Sequence, residues 1–115
     1  MKLLMHILKK NESLGLDNES LSLHEIRDKL NEEYREVDEE LFKCEHGMGI
    51  YNLRNVIAET FDLIQICILI LWRSHREAKK LNKPHMVEQI NLEHKDKLIS
   101  QRGWQPLTGI KIEVK

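Results

Sequence analysis

Ala58-Glu59-Thr60-Phe61-Asp62-Leu63-Ile64-Gln65-Ile66-Cys67-Ile68-Leu69-Ile70-Leu71-Trp72 carries two carboxylates into the most apolar segment of the chain. Taken as a helix, it has Asp62 three residues after Glu59, with Leu63, Ile66 and Ile70 continuing the same face, so both acids are expected to look inward. Burying an isolated carboxylate costs of the order of several kcal/mol, so the placement calls for a compensating partner such as a metal ion or a basic side chain. The middle of this helix is apolar nearly all round. It therefore needs neighbours on more than one side, which a three-helix monomer supplies poorly and a helical dimer supplies well.

Working outward, Leu23, Ile26, Leu30, Tyr34, Val37 and Leu41 recur at three- and four-residue steps after Ser22, with Glu25 completing a capping-box signature. A helix is predicted over about residues 22–44, and the close pair Gly47 and Gly49 ends it. The apolar helix follows over about 52–81, then a break at Asn82-Lys83-Pro84, then a third helix to about Gln101 with Gly103 as terminator. The fold expected is all-α: one domain over residues 1–115, a bundle of three main helices completed by homo-oligomerisation. Residues 1–20 form an N-terminal extension with a mobile loop over Asn11–Ser20. Residues 105–115 form an irregular tail, or a short edge strand where Ile110 to Lys115 alternates.

Bulk properties narrow the partners. A chain of 115 residues with 32% charged residues and a net charge of -1 has no basic excess to attract nucleic acid or an anionic membrane. The run Leu63–Trp72 is shorter than the roughly 18–20 residues of a membrane span and contains Gln65. The start of the chain lacks the long apolar core and cleavage site of a signal peptide. Cys44 and Cys67 form no C-x-x-C pair, and Cys67 falls inside the apolar helix, so a reduced, cytoplasmic protein is expected.

Acids spaced by three occur five times: Glu25/Asp28, Glu33/Glu36, Glu36/Glu39, Glu59/Asp62 and Glu93/Asp96. At about 100° per residue Glu33 lies beside the apolar stripe, Glu36 and Glu40 come next on that flank, and Glu25, Asp28 and Glu39 point away. Glu33, Glu36, Glu59 and Asp62 together would suit a hard dication such as Mg²⁺, which prefers oxygen ligands. The plainer alternative makes Glu33/Glu36 a solvated flank and pairs Glu59/Asp62 with Arg54 or a partner-chain lysine. Six histidines show no zinc spacing, and no glutamate is followed three residues later by histidine, which disfavours zinc and ferritin-like di-iron chemistry.

Glu32-Glu33-Tyr34-Arg35-Glu36, twenty-two residues, then Glu59-Thr60-Phe61-Asp62 resembles the E-E-x-x-E … E-x-x-D signature of the MazG-like all-α nucleoside triphosphate pyrophosphohydrolases, whose second motif also leads into an apolar helix. The likeness covers about residues 20–104. The segment Lys97 to Trp104 is similar to the basic end of that family's last helix. The resemblance implies hydrolysis of a (d)NTP or related nucleotide to the monophosphate and pyrophosphate, with Mg²⁺ held by Glu33, Glu36, Glu59 and Asp62. One of these carboxylates would take the proton of the attacking water, Lys97 or Arg102 would face the phosphates, and Glu32 and Glu40 would stand behind the ligands. A homodimer or homotetramer is implied. A non-catalytic helical dimerisation or adaptor module that keeps the scaffold is the competing expectation.

Overall fold

Ser22 is where extended chain becomes helix. Its hydroxyl accepts from the backbone N–H of Glu25 at 3.1 Å, satisfying one of the free donors at the start of α1 (Leu23–Lys43). The far end of α1 closes when the Cys44 N–H donates to the Leu41 carbonyl at 3.0 Å, and Gly47 turns the chain at a φ of 142°. α2 (Ile50–Lys80) follows, starting two residues before the predicted boundary. The structure is a computed structural model describing residues 1–115, which separate into two compact units, Met1–Arg76 and Glu77–Lys115.

In the first unit α1 and α2 pair as an antiparallel helical hairpin. Ile26 packs with Leu69 and Ile70. Seven residues on in α1 and seven back in α2, Glu33 meets the charge of Asp62; three further on, Glu36 meets Glu59. Ile26 is buried, and Leu30, Glu33, Glu36, Val37 and Glu40 are half-buried, whereas Leu23, Tyr34 and Leu41 are exposed. The face that α1 turns to α2 is thus rotated from the predicted apolar stripe onto its acidic flank.

The N-terminal segment, expected as a mobile loop, is tied down. Lys10–Asn11 (β1) and Leu16–Asp17 (β2) form a two-stranded antiparallel ladder, Lys10 opposite Asp17 and Asn11 opposite Leu16. Asn11 Oδ1 accepts from Ser13 Oγ and the Leu14 N–H across the turn, and Gly15 takes a φ of 64°. Arg73 Nη1 donates to the carbonyls of Asn18 (3.1 Å) and Leu21 (2.8 Å), and Gln65 Nε2 to that of His6 (2.7 Å). Leu21 thereby joins Ile26 and Leu69 in the small core.

In the second unit Asn82, at a φ of 59°, ends α2 with the Lys83 N–H on the Ala78 carbonyl at 2.8 Å. α3 (Met86–Asp96) begins beyond Pro84 and runs into a π-helical turn, Lys97–Gln101, where the Arg102 N–H reaches the Lys97 carbonyl. Gly103, at a φ of 73°, ends it. The tail from Gln105 onward is irregular and contains no strand. The molecule is mainly helical, with three α-helices and one minute sheet.

The apolar stretch of α2 is longer than Leu63–Trp72, because Val56, Ile57 and Ala58 extend it past the two acids. By length and composition α2 is able to cross a membrane. A covered core helix passes the same test, but only 6% of this window is buried within the chain.

Candidate metal centre

Glu33 and Glu36 project from successive turns of α1, and Glu59 and Asp62 from successive turns of α2. Pairing the helices at this register gathers four carboxylate oxygens within 4.8 Å of one another. The first three residues are half-buried, and Asp62 is exposed at the mouth. Oε2 of Glu33 and Oε2 of Glu59 are buried without a hydrogen-bond donor. None of the ion pairs in the chain involves any of the four, so Arg54 does not neutralise them.

Crowding of like charge shows in the proton affinities. Burial, then the charge of Glu36 and a proton shared with it, then Asp62 and Glu32, push the Glu33 carboxyl from 4.5 up to about 7. Glu59 is raised as well, first by a proton shared with Glu36, then by desolvation and by the charges of Glu36, Asp62 and Glu40. Glu32 therefore acts electrostatically on Glu33, and Glu40 on Glu59.

The donor set fits a hard dication. Ligands around Mg²⁺ at about 2.1 Å lie roughly 3 Å apart when adjacent and about 4.2 Å apart when opposite. The four oxygens, within 4.8 Å of one another, are slightly wider than that range and would draw in around an ion, and the two donorless atoms are the ones a cation would satisfy. Exposed acidic groups also gather without an ion, so the buried, unpartnered oxygens are the telling part.

Lys97 and Arg102 lie in the second unit, both exposed, at the two ends of the π-helical turn. A basic group that the sequence reading passes over is Lys43. Its Nζ lies 3.0 Å from Glu40 Oε1, and Glu40 in turn acts on Glu59. The i,i+3 spacing of Glu40 and Lys43 was the available signal. No protein family, no curated protein and no solved structure matches the chain.

Proposed function

We propose that the chain is a Mg²⁺-dependent nucleotide pyrophosphohydrolase, cleaving a (d)NTP or related nucleotide to the monophosphate and pyrophosphate. The observation that carries this reading is the meeting of four carboxylates from two helices, with Glu33 Oε2 and Glu59 Oε2 buried and donorless. Glu33, Glu36, Glu59 and Asp62 would hold the ion, which when bound supplies neutralisation of phosphate charge and acidification of an attacking water. One of these carboxylates would take the proton from that water. Glu32, and Glu40 with its ion-pair partner Lys43, would stand behind the ligands. Lys97 and Arg102 are assigned to the phosphates on the family resemblance alone. The same reading includes a homodimer or homotetramer, supported by the shortage of buried apolar side chains, and a cytoplasmic setting where nucleotide substrate and Mg²⁺ are present.

Incubation with a panel of (d)NTPs and Mg²⁺ is expected to release pyrophosphate and the monophosphate from at least one of them. Glu59→Ala should abolish that release. Absence of pyrophosphate across the whole panel would overturn the proposal. The uncovered apolar surface of α2 also favours a second reading, a non-catalytic dimerisation module. On that reading Mg²⁺ leaves the thermal stability of the chain unchanged.

A further inference from the structure

Ile50, Ile57, Ile64 and Leu71 recur every seven residues along α2, and all four are exposed. Leu53, Thr60 and Cys67 fall three residues after the first three of them; Leu53 and Cys67 are exposed too. Thr60 donates its hydroxyl to the Val56 carbonyl of its own helix at 2.6 Å, so the polar atom is already satisfied. This is an a/d heptad seam, with isoleucine at three of its four a positions and Leu53, Thr60 and Cys67 at d. It lies on the side of α2 away from Glu59, Leu69 and Arg73, which face α1 and the N-terminal segment.

We infer that this seam is covered by the seam of a second copy of the chain. The inference rests on the oligomeric part of the proposed function and gives it an interface. A repeat of seven residues matches another helix, because it keeps an apolar stripe facing its partner along about 32 Å of α2. The stripe from Ile50 to Leu71 contains no charged residue at its seven positions, so two copies meet without like-charge repulsion. The surface left over is ample. A folded body of this mass exposes about 6,600 Å², and two bodies of 76 and 39 residues about 7,900 Å². This chain exposes 10252 Å², and a stable interface takes about 800 Å² from each partner. Lipid does not suit the seam. α1 runs beside α2 with Glu32, Glu33, Glu36, Asp38, Glu39 and Glu40 over about two and a half turns, and those groups do not belong in hydrocarbon.

The test is the mass of the full chain in solution by light scattering. The wild type should be an assembly whose mass is halved in the Ile57→Glu, Ile64→Glu double variant, with the helical circular dichroism retained. Ile90→Glu, which places the same charge on an exposed residue of α3, should leave the mass unchanged. A monomeric wild type would overturn both the seam and the oligomer. An assembly whose mass the double variant does not change would overturn the seam alone. If the double variant does not fold, alkylation of wild-type Cys67, followed by mass spectrometry, decides. The thiol should react many-fold slower than in a peptide spanning residues 60–74, and equal rates would overturn the inference. None of these measurements depends on nucleotide hydrolysis, so catalytic failure and interface failure remain distinguishable.

Discussion

Glu33 is where the fold changes proton binding most. Its carboxyl titrates near 7 in place of 4.5, so between those values the folded chain keeps a proton that the unfolded chain has released. Stability therefore falls as pH rises through that window and stays low above it. In a metal-free sample the melting temperature should drop from about pH 4.5 to about pH 7, and Glu33→Gln should flatten that slope. At a pH above the window the same substitution should stabilise the fold by the order of 1–3 kcal/mol, read from urea denaturation. Glu59, also raised, contributes in the same direction. Mg²⁺ should reverse the loss in the wild type but not in Glu59→Ala, because only a ligand of the folded state stabilises it, by about 2.7 kcal/mol at a hundredfold excess over Kd. An equal melting shift in both proteins would place the ion elsewhere.

Among the elements, α1 depends on one hydroxyl for its start. Ser22→Ala should cost about 1 kcal/mol in denaturant titrations, since the Glu25 N–H then loses its acceptor. That boundary was legible because a cap is a local device, as were the glycine break and the stop at Gly103. The four acids were legible for a similar reason, since helical spacing places Glu59 and Asp62 on one face and Glu33 and Glu36 on one flank. Which flank of α1 turns inward was not. Leu23, Tyr34 and Leu41 look like core in a single helix, and only the contact of Ile26 with Leu69 fixes the rotation that leaves them outside. The Glu40–Lys43 pair became visible only with that rotation. The N-terminal segment was misjudged because its anchors are non-local: Arg73 and Gln65 hold carbonyls 52 to 59 residues away. Arg73→Met should leave those of Asn18 and Leu21 without this donor and speed amide exchange over residues 8–21, while exchange in the middle of α1 stays slow.

At the level of the molecule, the buried apolar residues are Leu21, Ile26, Leu69 and Ala78, none of them fully enclosed, a core too small to hold a chain of this length by itself. On the proposed pairing of two copies, assembly and folding are coupled, and the melting temperature of the wild type should rise with protein concentration, whereas that of the Ile57→Glu, Ile64→Glu variant should not. The Arg73 clamp has a kinetic corollary. A helical hairpin joined by a short turn closes quickly, whereas a contact across more than fifty residues carries a large loop-closure entropy and tends to form late. The N-terminal ladder should therefore dock after the barrier has been crossed. In stopped-flow experiments Arg73→Met should leave the refolding rate nearly unchanged and accelerate unfolding, making this arginine a brake on opening rather than a guide to folding.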